Sequence, residues 1–480
     1  VVYFIVRLWR LTFLPIFADE AIYLRWSQLV MTDAPRYLFF ALNDGKTPLQ
    51  IWLNIPFLVL MKDPLAAGRL LSVLVGWGQM VVVWMIGKKM KWGKMAQTVG
   101  LGASIMLPWW WFNQRLALMD TLLTFWLALL IYFLLEVRRE DGWRVKKIIA
   151  ATACFGLALL TKIPAILFLP TIVLLTFNFK DWRRSLIKIL VISGGGMVML
   201  ASLKYLSESF SRLFSRGGDF LGTGGVMSNL WIHSREVMVM NSKYLTLGLV
   251  ALLLVQMVYM GSKKNKEWWL LVLSGLGFAL PIILFGRGDV YPRYYLPSVL
   301  PLMLAVLGGI DKMWRDKKWP LGKTIVKGCL VVGLAQSVIF MRNSYSELAG
   351  LDLTADDQRQ YLDEWSSGFG ILEVLGAAQG RASENKRILL ISEGDFGTPT
   401  DGFNLYLFAR KDDRVGVEGI WWQVESIPQT ALERAANEYD EAWLVVNSHR
   451  MMMEMEEEKL IMEIARPRER AASLQVWRIM

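Results

Sequence analysis

Apolar runs of near-bilayer length recur along the first 341 residues of this chain, and they constrain its fold more than any other feature. A spanning helix needs about 20 predominantly apolar residues. The runs predict helices near 1–16, 64–87, 95–111, 116–135, 148–162, 163–179, 186–206, 244–260, 268–286, 294–310 and 324–341. Composition agrees: 54% of the 480 residues are hydrophobic, only 20% are charged, and mean hydropathy is +0.36. The profile is that of a polytopic membrane protein. The first run is short, so the chain is expected to begin inside a longer first helix. No small-residue cleavage pattern follows that run, which argues against a cleaved signal peptide.

The connecting loops alternate in character. Short basic loops fall at 88–91, 138–139, 146–147, 183–184, 263–266 and 317–318. Longer, sparsely charged loops fall at 18–63, 112–115, 207–243 and 287–293. Basic loops stay on the cytoplasmic side. The expectation is a multi-pass protein of the plasma (inner) membrane with a cytoplasmic N-terminus and about eleven spans. Residues 1–341 carry 38 Lys and Arg against 17 Asp and Glu, a net +21; residues 342–480 carry 15 against 25, a net −10. Topology accounts for the positive half, so nothing calls for nucleic acid. Two His and two Cys are too few for a His/Cys metal cage or a disulfide framework.

The predicted fold class is thus an α-helical polytopic membrane domain, residues 1–343, with a small extracytoplasmic α/β domain at 344–480. In that tail, β-type runs at 388–392, 442–446 and 474–479 alternate with helical stretches at 355–379 and 428–439. An acidic stretch at 453–464 also reads as helical. The segment 393–397, Glu-Gly-Asp-Phe-Gly, lacks a dinucleotide fingerprint and reads as a loop. No role is assigned to the tail; its position alone suggests acceptor selection. Within loop 18–63, residues 21–31 and 49–61 suit amphipathic helices lying in the interface plane, with Trp26 and Trp52 at headgroup depth.

Polar residues collect on the outer side. Asp19 and Glu20 follow the first apolar run directly, and two carboxylates at a membrane surface are costly unless they do chemistry or coordinate something. The pair also suits a helix start. One carboxylate could take the proton of an attacking hydroxyl, while its neighbour orients the acceptor or holds a divalent ion. Lys46, in a tight Asp-Gly-Lys-Thr-Pro loop, offers a cation for a lipid phosphate, or simply snorkels. Arg69 lies in the first turns of the second long helix. Arg115 precedes another helix, and Asp120 lies inside it; an Arg–Asp packing pair is the plainer reading. Lys162 breaks an apolar stretch at a helix end. Arg293 and Tyr294 lead into the 294–310 helix, as an anionic headgroup site or as part of an aromatic belt. His233 and Arg235 fall in an outer loop.

This ordered series resembles the GT-C fold glycosyltransferases of the protein O-mannosyltransferase and aminoarabinose transferase superfamily. The matching pieces are Asp19-Glu20, the Lys-Thr-Pro-Leu run from Lys46, Gly-Arg-Leu-Leu-Ser around Arg69, the stretch from Arg115 to Asp120, Leu-Thr-Lys ending at Lys162, and Arg-Tyr-Tyr-Leu-Pro from Arg293. They cover roughly residues 1–341 and leave the tail aside. The resemblance implies an inverting glycosyltransferase that moves a sugar from a polyprenyl-phosphate carrier to an extracytoplasmic protein, lipid or glycan. It implies Asp19 as catalytic base, Lys46 and Tyr294 at the carrier phosphate, and Arg69 as needed for activity. Several members bind a divalent ion, Mg or Mn, near the first loop. Here Glu20, Asp44 and His233 are the candidates, although Asp44 stands two residues before Lys46 where some relatives place Glu directly before Lys. The competing reading is a transporter or lipid flippase, which expects midplane polar residues and paired broken helices. No internal repeat supports it.

Overall fold

The computed structural model describes all residues except 140–143, 214–224, 287–290 and 383–385. It divides into two compact units. The first comprises Val1–Trp9, Leu38–Gln50 and Ser72–Arg342; the second comprises Arg10–Tyr37, Ile51–Leu71 and Asn343–Met480.

Among the described residues, seven helices are long and apolar enough to cross a membrane: Pro64–Lys89, Met119–Arg138, Phe179–Leu206, Val226–Ser262, Lys266–Phe285, Pro292–Arg315 and Pro320–Ser346. Leu49–Leu60 and Ile163–Thr176 are shorter apolar helices. In hydrocarbon only helices or closed barrels satisfy every backbone group, so apolar runs of this length become helices. Leu296–Arg315 is the most enclosed of them, and its buried face runs from Leu296 to Met313. Close helix approach uses small residues. A Cβ at Gly248 would lie 2.0 Å from the carbonyl oxygen of Cys329, so the helix through Gly248 can cross Pro320–Ser346 only as glycine.

Several elements depart from the sequence reading. The first helix is only Val2–Leu8. The 95–111 run is two helices, Lys94–Met106 and Pro108–Asn113, because a proline disfavours helical backbone in the residue before it, Leu107. The 163–179 run opens as a 3-10 turn, Ile163–Phe168, with Pro164 in its first turn. The expected outer loop 207–243 is helical from Val226 onward. Val226–Met240 continues through a π turn, Asn241–Thr246, into Leu247–Ser262. Asn229, His233, Arg235 and Glu236 dilute the hydropathy there without breaking the helix. Of the expected outer loop 287–293, residues 287–290 lie outside the described residues.

In the second unit, residues 343–480 build a five-stranded sheet: β1 (Ile388–Glu393), β2 (Val415–Ile420), β3 (Glu441–Asn447), β4 (Leu460–Ile464) and β5 (Leu474–Arg478). The order is β2-β1-β3-β5-β4. β1 runs parallel to both β2 and β3, and β5 runs antiparallel to β3 and β4. β1 and β3 are buried along their whole length, as the interior strands of a covered parallel sheet should be. Leu389, Ile391, Leu444 and Val446 pack with Ala431 and Ala435 of the Gln429–Glu438 helix.

The acidic stretch 453–464 is not a helix: Leu460–Ile464 is an edge strand paired with β5, and the apolar Leu-Ile-Met-Glu-Ile outweighs the preceding glutamates. β2 was not legible because two glycines interrupt its valines. The 355–379 stretch breaks at 364–370, where Gly370 has φ +91°. Segment 393–397 is a loop, with Gly394 and Gly397 in left-handed backbone.

The same unit holds the loop helix Ala18–Thr32 and, from Ile51 onward, most of Leu49–Leu60, both close to where the sequence placed them. Trp26 of Ala18–Thr32, expected at headgroup depth, is buried within the protein.

Candidate active site

In the second unit, Asp19 and Glu20 lie in the first turn of Ala18–Thr32. A helix start offers unpaired N–H groups and a positive dipole end, which suits carboxylates. Glu20 accepts the Phe17 N–H at 3.0 Å. Its two oxygens also take Arg69 Nε at 2.9 Å and Arg69 Nη2 at 2.7 Å. Arg69 spends its remaining donors on three carbonyls: Leu11 at 2.9 Å, Leu14 at 2.7 Å and Pro15 at 3.0 Å. Glu20 is 0% exposed and Arg69 1%. This arrangement commits Glu20 and Arg69 to holding the 11–20 segment. Asp19 is only half-buried, so of the pair it is the carboxylate less enclosed by the protein.

In the first unit, Asp120 opens Met119–Arg139, and its Oδ1 pairs with Lys162 Nζ at 2.7 Å. Lys162 ends the Val145–Thr161 helix in extended backbone, where Pro164 stops the helix from continuing. Its ammonium lies 4.7 Å from the centre of the Tyr294 ring. The Arg293 guanidinium stands 5.5 Å from the same ring and 5.4 Å from that of Tyr291. Asp120, Lys162 and the Arg293–Tyr294 pair, three separate features in the sequence, therefore form one cluster. Two cations flank an aromatic face, and one of them is tied to a carboxylate. Asp120 takes Lys162 as its partner, where sequence spacing suggested Arg115.

Arg115 donates to the Trp9 carbonyl at 3.0 Å and lies 4.8 Å over Trp111. Lys46 follows a left-handed Gly45, and its ammonium is 3.2 Å from Asp44. Sequence reasoning passed over Arg7. It is fully buried, donates to Gln114 Oε1 and to the carbonyls of Ser104 and Ile105, and stacks 4.5 Å over Trp111. Arg7 thus braces the segment that presents Arg115. A charged residue inside the first apolar run was the available signal.

Among the described residues, no three His, Cys, Asp or Glu side chains gather to hold a metal ion. Glu20 is taken by Arg69 and Asp44 by Lys46. His233 is buried on a helix with its Nδ1 3.0 Å from the Ile283 carbonyl.

Comparison with known proteins bears on this arrangement. Residues 45–205 match the family described as dolichyl-phosphate-mannose-protein mannosyltransferase. That segment contains Lys46, Arg69, Arg115, Asp120 and Lys162. No curated relative matches the sequence. The fold is similar to that of ArnT from Cupriavidus metallidurans bound to undecaprenyl phosphate, with TM-score 0.58, 14% identity, 99% of this chain and 96% of that one covered. The apo state of the same protein matches with TM-score 0.56 at 15% identity, over 99% and 95% of the two chains. The Archaeoglobus fulgidus oligosaccharyltransferase in complex with Zn and sulfate matches with TM-score 0.54 at 13% identity, over 93% of this chain and 68% of that one. The chain is a multi-pass membrane protein with the GT-C glycosyltransferase fold.

Proposed function

We propose that this protein is an inverting glycosyltransferase that moves a sugar from a polyprenyl-phosphate carrier to a hydroxyl-bearing acceptor outside the cytoplasm. The observation that carries the reading is the Asp120–Lys162–Tyr294–Arg293 cluster, part of which lies in the mannosyltransferase-like segment. The undecaprenyl phosphate bound to the similar ArnT fold supports a polyprenyl-phosphate donor. The basic-loop pattern supports a cytoplasmic N-terminus with Asp19 and the tail outside.

The chemistry follows from the donor. When the anomeric C–O bond breaks, the electron pair stays on the formerly bridging oxygen, and a lipid phosphate monoester leaves. Fixed cations stabilise that developing charge most effectively where water is excluded. Lys46, Arg115, Lys162 and Arg293 supply them, with Tyr294 at the phosphate. Asp19 takes the acceptor hydroxyl proton as the oxygen attacks the anomeric carbon from the opposite face, and the configuration inverts. One essential carboxylate suffices, unlike the acid–base pair of a hydrolase.

The test uses the full-length protein in proteoliposomes with polyprenyl-phosphate sugars and a panel of acceptor glycans, lipids and peptides. Transfer with inverted anomeric configuration is expected, falling at least about 10²-fold in Asp19→Asn. Undiminished transfer by Asp19→Asn removes Asp19 from the mechanism. Lipid translocation without any sugar transfer overturns the whole reading.

A further inference from the structure

We infer that the C-terminal α/β domain is a positioning device for the helix that carries Asp19, with Gly368 as its closest point of control. The inference rests on the catalytic role proposed for Asp19, and all of its geometry lies within the second unit.

Three separate parts of the tail hold the Ala18–Thr32 helix. At its start, the Ala18 N–H, one of the donors a helix leaves unsatisfied at its N-terminus, donates to the Ser366 carbonyl at 2.9 Å. Phe17 and Ser367 form an antiparallel bridge, and the Phe17 ring packs 4.7 Å from that of Tyr361. One turn on, Gly397 faces Ala18 and Ile22; a Cβ there would meet their side chains at 3.5 and 3.9 Å. Further along, Gln28 Nε2 donates to the Leu405 carbonyl at 3.0 Å, so the helix is tied to the Thr400–Arg410 helix as well.

Gly368 makes the tightest of these approaches. A Cβ at Gly368 would fall 2.3 Å from the Ile16 carbonyl oxygen and 2.6 Å from Ile16 Cγ2. No real contact is that short, and the first obstacle is backbone, which cannot rotate away. Any side chain at 368 therefore pushes the chain at Ile16, three residues before Asp19, where it enters the helix. The tail does more than present a surface to an acceptor: it fixes where the carboxylate stands.

Gly368 is a positioning residue, and its test separates geometry from folding. Gly376 and Gly380, on Ile371–Ala382, have nothing within 4 Å of an added Cβ and serve as controls. In the full-length protein, Gly368→Ala is expected to lower kcat about 10- to 100-fold, since a misplacement near 1 Å costs that much, while donor KM stays within about twofold. Gly376→Ala and Gly380→Ala leave both unchanged. If Gly368→Ala does not accumulate folded, Tyr361→Ala replaces it: it should lower kcat in the same way, with Tyr361→Phe restoring it.

Hydrogen exchange at the Ala18 amide reads the clamp without any turnover. Gly368→Ala should speed it at least about tenfold, even if no sugar donor is found and the catalytic reading fails. An unchanged kcat together with unchanged Ala18 exchange overturns the inference. So does a loss shared equally between kcat and donor KM, or matched by Gly376→Ala.

Discussion

Arg69 grips Glu20 through two parallel N–H···O bonds, at 2.9 and 2.7 Å, with both side chains closed off from solvent. The same guanidinium caps the carbonyls of Leu11, Leu14 and Pro15. A buried pair of this kind adds little net stability, but removing one partner strands a charge and costs about 3–5 kcal/mol. Arg69→Ala is therefore expected to lower the thermal midpoint sharply and to abolish activity with it. Arg69→Lys keeps the charge and loses the planar fork, so it recovers only part of both. Thermal unfolding in detergent checks this; a Lys variant equal to the native protein would show that charge alone matters at 69.

Tyr294 offers its ring to Lys162 at 4.7 Å and to Arg293 at 5.5 Å. A cation over an aromatic face gains about 0.5–2 kcal/mol, depending on how dry the site is. Tyr294→Phe keeps that face and removes only the hydroxyl proposed to meet the carrier phosphate. Its donor KM should rise several-fold with kcat little changed. Tyr294→Leu loses the face as well, and its kcat should fall further. Initial rates over a range of donor concentration separate the two. Equal effects of Phe and Leu would make the hydroxyl the whole contribution of Tyr294.

How far the chain could be read in advance depends on the range of the forces involved. Apolar length and basic loops are local signals, and they located helices such as Pro64–Lys89, Lys266–Phe285 and Pro320–Ser346. The strands β1 and β3 were legible because their apolar runs are short and uninterrupted, and β5 because Leu474, Val476 and Trp477 are set among polar residues in a short run. β2 was not, because its glycines hide a pairing that only β1 supplies. Val226–Met240 was missed because a few polar residues lower hydropathy without costing the helix a hydrogen bond. At the site, residue types were visible but partners were not. Asp120 finds Lys162 across 42 positions, and Ala18 finds Ser366 across 348. No periodicity encodes such meetings. Gly368 carries no chemistry of its own, and only the approach of Ile16 marks it.

Glu393 ends β1 in full burial. It accepts the Asn447 N–H at 3.1 Å and the Asn447 side-chain amide, with Arg450 at 3.8 Å. Burial outweighs these partners and pushes its carboxyl from 4.5 up to about 7. As pH rises past 4.5, the unfolded chain releases this proton while the folded domain still holds it, so stability falls with pH up to about 7 and then levels off. A shift of this size corresponds to about 3 kcal/mol. Glu393→Gln cannot titrate, so the fall it shows between pH 4.5 and 7 should be smaller than that of the native protein by about that amount. Thermal midpoints of both proteins measured at half-unit steps from pH 4 to 8 give the difference directly. Parallel curves would mean that Glu393 titrates alike in the folded and unfolded chain, its burial fully compensated by Asn447 and Arg450.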